Sequence, residues 1–262
     1  MSHRPPTPQT LSTLIAAFTS FLTVSVHTIL HQRSLYPPSS FLTARAYNYP
    51  VRQSRHPAVC AWVADAVAAV EAELLRNAVA RVALVVYSSG LKPLERYVWD
   101  VSRFPVVARP QDRETVITRA APAGEEAPGN VDLEEQFRAA LAKLTVCGDV
   151  LAPLPPGCTF TLAVELKDEV DVDPPVGHPQ PWIPVQPDLQ AVRKSRRRRS
   201  EAGGGEVGDD GLGRDLGGAR TTPVRSVRAG EMMFEMWIEE GKAKVEMMAE
   251  SSESNARSVD YR

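Results

Sequence analysis

Two long stretches of the chain place apolar residues every three or four positions, the spacing of helices that bury one face. The first follows Thr10, a residue type that caps helices, and should end near Arg33 because Tyr36-Pro37-Pro38 stops it. Its large apolar residues are Leu11, Leu14, Ile15, Phe18, Leu22, Val26, Ile29 and Leu30. The second begins after His56-Pro57 and should end at Asn77. Its residues in register are Val59, Trp62, Val63, Ala66, Val67, Val70 and Leu74.

Shorter stretches further along have the character of strands. Arg81–Tyr87 is apolar and β-branched, Leu94–Val101 alternates, and the Ser-Ser-Gly turn between them predicts an antiparallel hairpin. Residues 105–130 are predicted to be a loop. The remaining elements are a third helix with Leu133, Phe137, Ala140, Leu141 and Leu144, a strand Cys158–Leu166 after a Pro-Pro-Gly turn, and a strand Met232–Ile238. This order predicts an α+β fold, with three helices packed on one face of an antiparallel sheet.

The composition changes abruptly after Leu166. Several prolines are followed by the basic run 193–199 and then by glycine-rich sequence up to Ala219, a composition that cannot bury enough apolar surface to fold alone. We therefore expect a disordered insertion at about 188–220, with order returning near Thr222. Residues 1–9 and the polar chain from 241 to 262 are also predicted to be disordered.

The formal net charge of the chain is -2, which gives no general attraction to nucleic acid, so direct DNA binding should be weak or absent. The basic run Arg193, Lys194, Arg196, Arg197, Arg198 and Arg199 is interpreted first as a nuclear import signal, then as a solubilising linker, and last as a DNA contact. Residues 11–30 carry no charge but include seven Ser or Thr residues and His27, which favours a core helix over a membrane span.

No motif in the sequence predicts catalysis, a cofactor or a metal. Cys60, Cys147 and Cys158 have no Cys-x-x-Cys spacing, which argues against a disulfide framework or zinc site and for a reducing compartment. The glycine run 211–218 lacks the flanking strand and helix of a phosphate loop. The acidic residues of 168–173 lack the spacing of a calcium loop. Sites that assemble only in space stay open at this point.

Three motifs near the N-terminus and one beyond residue 150 resemble the HORMA-domain family, and within it the accessory subunits of DNA polymerase zeta. They are VHTIL, YPPSSF, YNYPVRQSRHP and PPGCTFT, the last following Val146-Cys147. The resemblance implies a HORMA domain over 10–240, with a core at 10–166 and a C-terminal safety belt at 167–240. It also implies a nuclear, non-enzymatic adaptor in translesion DNA synthesis, whose belt closes over a proline-containing peptide of the polymerase catalytic subunit.

The same resemblance implies site residues. Trp62 and Trp182, with the neighbouring Ile183, match family positions that clasp the partner peptide, although a tryptophan on an apolar helix face is more often simply part of the core. Arg138 matches an arginine at contacts between two HORMA domains, in homodimers or heterodimers. A second surface, for the translesion polymerase that transfers deoxycytidine, corresponds to Thr221, Glu235 and Trp237, where the family has leucine, glutamine and tyrosine.

Two other interpretations of function stay open on the sequence. Within the same fold, the chain could be a spindle-checkpoint or meiotic-axis HORMA adaptor, which the Tyr-Asn-x-Pro-Val and Pro-Pro-Gly-Cys-Thr-Phe motifs disfavour. From a different class, it could be a DNA-binding protein that acts through its arginine run, and salt-dependent affinity for bare duplex would identify it.

Overall fold

The computed structural model describes residues 10–107, 110–117, 133–167 and 220–247. The three predicted helices are confirmed: α1 is Leu11–Gln32, α2 is Pro57–Leu75 and α3 is Leu133–Asp149. Thr10 caps α1 as expected, because its hydroxyl accepts a hydrogen bond from the Thr13 amide at 3.2 Å and its own amide donates to the Thr13 hydroxyl at 2.8 Å. This reciprocal pair satisfies two backbone donors that a helix start otherwise leaves open.

The strands form a small hairpin and a five-stranded antiparallel sheet. The hairpin pairs β1 with β2, and the sheet has the order β5-β3-β4-β7-β6. The strand bounds are β1 Phe41–Ala46, β2 Tyr49–Ser54, β3 Val79–Tyr87, β4 Pro93–Asp100, β5 Thr159–Leu166, β6 Arg220–Ala229 and β7 Met232–Glu240. The β3–β4 hairpin and the strands β5 and β7 confirm their predictions, and β5 and β6 lie at opposite edges of the sheet.

The helix layer and the sheet meet in an aromatic core. Phe21 of α1 stacks on Phe137 of α3 with ring centroids 4.5 Å apart, and Phe18 meets Phe234 of β7 edge to face at 5.3 Å. All four side chains are buried. By length and composition α1 could cross a membrane, yet most of it is buried within the protein, as expected of a core helix.

The sequence predicted no strands between α1 and α2, so the β1–β2 hairpin is a correction. Its two loop residues, Tyr47 and Asn48, have φ of 50° and 57°. Positive φ at both positions is the geometry of a two-residue turn that matches the twist of paired strands. The usual Asn-Gly signal is absent because a tyrosine occupies the first position.

The C-terminal end of the described chain also differs from expectation. Strand β6 begins at Arg220 rather than near Thr222, and it continues through Pro223 with a register shift beside it. After β7, residues 242–247 are helical instead of frayed, and Lys244 is only 1% exposed. The predicted disordered tail from 241 was therefore wrong for 241–247, because a buried ion pair fixes this polar segment. Residues 1–9 and 248–262 lie outside the described residues.

Candidate functional site

An aromatic cluster lies beside the edge strand β5. Trp62 of α2 meets Phe160 of β5 edge to face at 4.9 Å, and Tyr36, just after α1, meets the same ring at 6.3 Å. Pro57 starts α2 at its first position, where a missing amide hydrogen costs nothing, and this sets Trp62 on the second turn. Trp62 remains 39% exposed, so it is a half-covered platform and not a core side chain.

Strand β5 has one paired side. It pairs with β3 from Thr159 to Leu166, and no strand within the described ranges pairs with its other side. An edge strand offers unpaired backbone donors and acceptors to an incoming extended segment. The C-terminal hairpin β6–β7 lies at the far side of the sheet, against β4. The exposed Trp62 and the open side of β5 thus form one site, hereafter the β5 site.

The sequence singled out Trp62 but missed Tyr36 and Phe160. The alternation of β5 contained a usable signal for Phe160, since it lies two residues before Leu162 and both pair with residues on the inner face of β3. Trp182 and Ile183, the predicted opposite half of the peptide clasp, lie outside the described residues, as do Arg193–Arg199. The pairing of Trp62 with Trp182 therefore stays a prediction.

The structure brings the three residues of the predicted second surface onto one face. Thr221 lies opposite Glu239, Pro223 lies opposite Trp237, and Glu235 is two residues before Trp237 on the same strand. The Trp237 indole Nε1 donates a hydrogen bond to Glu239 Oε1 at 2.6 Å, which orients the ring. All of these residues are on the side of the sheet away from the three helices.

Two arginines on this outer face, Arg81 and Arg96, are paired with carboxylates. Arg81 contacts Asp100 and Glu165 at 3.1 Å each and lies 5.8 Å from the centre of the Trp237 ring. Arg96 contacts Glu239 at 2.7 Å. Although burial opposes the change, hydrogen bonds from Ser102 and the Arg81 guanidinium lower the pKa of Asp100 below its ordinary value. The charges next to Trp237 are therefore matched.

Arg138, the predicted dimer contact, lies on α3 and contacts Glu135 one turn earlier at 3.5 Å. Its side chain is 40% exposed, so it is accessible to a partner. Nothing in the single chain tests the contact, which stays a prediction.

His56, the N-cap residue of α2, and Cys60 lie one helical turn apart, a spacing at which two side chains can share a metal ion. The Cys60 thiol instead donates to the Ser54 carbonyl oxygen at 3.1 Å. In the part of the chain that the structure describes, no three His, Cys, Asp or Glu side chains converge as a metal site.

Comparison with known proteins identifies similar chains. Residues 15–182 match the family model described as the HORMA domain. A DNA polymerase zeta processivity subunit of Schizosaccharomyces pombe is 31% identical over 230 residues, covering 86% of this chain and 92% of that protein. The mitotic spindle assembly checkpoint protein MAD2B of Danio rerio is 32% identical over 148 residues, covering 56% of this chain and 63% of that protein.

A similar fold occurs in a solved structure. A chain in the crystal structure of a mitotic checkpoint complex superposes with a TM-score of 0.58 at 17% identity, covering 86% of this chain and 97% of that one. At this identity the match concerns the fold alone. It agrees with the helix order and sheet described above.

Proposed function

The chain belongs to the HORMA-domain family, whose model matches residues 15–182, and on that premise we propose that it is a non-enzymatic adaptor that holds a peptide of a partner protein at the β5 site. The partner is the catalytic subunit of DNA polymerase zeta, and the setting is translesion DNA synthesis in the nucleus. The observation that carries the proposal is an unpaired side of β5, within the described residues, next to the half-exposed ring of Trp62.

The physical mechanism is strand addition followed by enclosure. An extended peptide gains main-chain hydrogen bonds along β5, and flat aromatic rings cover its prolines at little cost in side-chain entropy. In our proposal the segment 167–240, which includes Trp182 and Ile183, closes over the peptide as a safety belt. Release then requires local unfolding of the belt, so dissociation is slow.

The choice of partner rests on the relatives. The Schizosaccharomyces pombe relative, which aligns over 92% of its length, is named as a polymerase zeta processivity subunit. We extend that role to this chain, with the deoxycytidyl-transferring translesion polymerase as a second partner at Thr221, Glu235 and Trp237. The checkpoint name of the Danio rerio relative supports a second candidate, a spindle-checkpoint adaptor that uses the same site.

The test compares capture of the polymerase catalytic subunit by variants of the full chain. Trp62→Ala should reduce the captured fraction at least about tenfold, because truncating a central aromatic anchor costs about 2 kcal/mol or more of binding. Trp182→Ala should abolish capture with little change in melting temperature, since we assign it to the belt and not to the core. Both are measured by pull-down of the coexpressed subunit and by thermal melts.

Val116→Ala is the matched control. Val116 is also exposed and apolar, but it bridges to Thr10, at the opposite end of α1 from Tyr36. The Val116→Ala variant should capture the catalytic subunit as well as the parent chain does. Normal capture by a folded Trp62→Ala or Trp182→Ala protein would contradict the site assignment.

Purification of tagged protein from nuclei separates the two candidate functions, since a checkpoint adaptor would recover checkpoint proteins and no polymerase subunit.

A further inference from the structure

A buried cluster of charges joins the core to the C-terminal end of the described chain. Glu95 on β4 is fully buried, and its carboxylate accepts hydrogen bonds from Arg33 Nε at 3.0 Å and Arg33 Nη2 at 2.7 Å. The hydroxyl of Tyr97 donates to the same carboxylate at 3.0 Å. Arg33 closes the end of α1 and also donates to the carbonyl oxygens of Gly148 and Ala152, beyond which the chain leads to β5.

The fourth donor to Glu95 comes from the segment after β7. Lys244 is 1% exposed, and its ammonium group donates to Glu95 and, at 2.6 Å, to Glu240. The backbone extends the β4–β7 ladder by one further contact, from the Gly241 amide to the Leu94 carbonyl oxygen at 2.8 Å. A lysine is almost never this buried unless it is paired, so its position here requires an explanation.

The cluster divides into two neutral pairs along the boundary between hairpin and core. Arg33 and Glu95 both belong to the core, while Glu240 and Lys244 both belong to the hairpin side. Only the contact between Lys244 and Glu95 links the two pairs across the boundary. If the hairpin separates from β4, each charge of this cluster keeps a counterion on its own side, so the cluster avoids the large cost of an unpaired buried charge. The other ion pairs across this boundary, Arg96 with Glu239 and Arg103 with Glu235, join side chains that are already partly exposed.

Two of the donors to Glu95 have fixed protonation states at neutral pH. Burial opposes ionisation of Arg33, but the adjacent Glu95 raises its pKa above the ordinary value. Burial and the adjacent Glu95 raise the pKa of Tyr97 well above its ordinary value, so its hydroxyl stays a neutral donor. The Glu95 carboxyl group therefore faces a lasting guanidinium cation and a hydroxyl donor on the core side.

We propose that residues 241–247 form a latch, in which Lys244 holds the β6–β7 hairpin on β4 and lets it come away without leaving a charge of the buried cluster unpaired. The latch is independent of which partner occupies the β5 site. The latch fixes the position of the hairpin. A hairpin held at β4 stays at the far side of the sheet from β5, and β5 remains an edge strand. A segment whose sequence resembles a polar tail thus helps to hold the hairpin on the sheet.

Native-state hydrogen exchange of the full chain without partner tests the latch. Lys244→Met keeps most of the length of the side chain and removes its charge, so it breaks the contact across the boundary and leaves Glu240 buried without its lysine. Exchange at the amides of β7 should rise about tenfold or more, while the amides of β3, in the interior of the sheet, stay near parent rates. The double variant Lys244→Met/Glu240→Gln should recover part of the protection by removing the stranded charge.

Lys242→Met is the control, because Lys242 lies in the same segment but is 68% exposed and contacts only Glu246 among the ion pairs described, at 3.7 Å. The β7 amides of Lys242→Met should exchange at parent rates. Unchanged exchange of β7 in Lys244→Met would overturn the latch. So would a parallel rise in β7 and β3, which would make Lys244 a support of the whole fold instead of a holder of the hairpin. Equal exchange in the single and double variants would contradict the division into neutral pairs.

Discussion

At the residue scale, His27 is buried on α1 and carries a defined hydrogen bond. Its Nδ1 accepts from the backbone amide of Ser54 at 3.5 Å, which joins α1 to the end of β2. Burial lowers the pKa of His27 below its ordinary value, because the apolar surroundings disfavour the imidazolium. The unfolded chain therefore binds this proton more readily than the folded one. The contribution of neutral His27 to the free energy of unfolding should be fully present above about pH 6.5 and should be lost as the pH falls below that value.

We predict that His27→Gln flattens this pH dependence. The free energy of unfolding, measured by urea titration from pH 7.5 down to 5, should decline less steeply in the variant, since glutamine keeps an acceptor and cannot gain the proton. His31, whose pKa is also lowered, first by burial and then by Arg52, should add to the effect in the double variant His27→Gln/His31→Gln. Parallel curves for parent and His27→Gln would contradict the prediction.

The family resemblance, and not residue identity alone, predicted part of the candidate site. Residue type alone favoured core packing for Trp62, the resemblance assigned it to the peptide clasp, and its 39% exposure is compatible with that role. Glu95 and Lys244 could not be found this way, because charged residues are exposed by default and only the fold brings their partners together. Arg33, Glu95 and Lys244 are separated by scores of residues in sequence, and no spacing rule connects them.

At the element scale, Phe137 is the largest of the side chains through which α3 packs on the domain. Phe137 is 1% exposed, stacks on Phe21 and meets Tyr47 of the hairpin turn edge to face at 5.1 Å. Phe137→Ala should lower the free energy of unfolding by about 3–5 kcal/mol, the usual cost of a cavity left by phenylalanine, as measured by urea denaturation. Phe137→Leu should cost clearly less because it refills most of the space.

Arg138→Ala provides the neighbouring control. The side chain is partly exposed and its contact with Glu135 is a surface pair, so the cost in monomer stability should be small, within about 1 kcal/mol. A loss as large as that of Phe137→Ala would show that the polar side of α3 is also structural. A loss of self-association without loss of stability would support the predicted dimer contact.

Periodicity predicted the elements that carry regular patterns. The three helices and the β3–β4 hairpin follow from apolar spacing because each buries one face against the same core. The β1–β2 hairpin was hidden because its exposed face mixes Thr43, Arg45 and Arg52 with prolines nearby, and its turn lacks glycine. Strand β6 was hidden by Pro223, which is tolerated because β6 lies at the sheet edge.

At the scale of the whole molecule, charge is balanced inside the fold. Arg33, Arg81 and Arg96 are each paired with carboxylates in the described structure. We predict weak binding to bare duplex DNA, measured by fluorescence anisotropy as a function of salt, because few phosphate contacts give a shallow salt dependence. Tight, steeply salt-dependent binding that disappears when residues 193–199 are deleted would instead support a DNA-binding protein.

The connection between β5 and β6 sets a second whole-molecule test. These strands occupy opposite edges of the sheet, and the register places the end of β5 beside Val79 and the start of β6 near the other end of the sheet. The chain between them must therefore span roughly 30 Å, given strands about 4.8 Å apart and a rise of about 3.3 Å per residue. Deleting Arg193–Ala219 leaves about 25 residues, which reach up to about 80 Å.

We therefore predict that the deletion of Arg193–Ala219 keeps a cooperative thermal transition and nearly normal capture of the polymerase catalytic subunit, since loop-closure entropy varies slowly with length and a low-complexity segment adds little packing. Nuclear accumulation should fall, because the basic run is removed. Deleting 168–219 is the matched control, because it joins Lys167 directly to Arg220, and the gap across the sheet cannot be closed. That variant should lose the β6–β7 hairpin from β4. Loss of the cooperative transition in the shorter deletion would show that residues 193–219 are part of the folded domain.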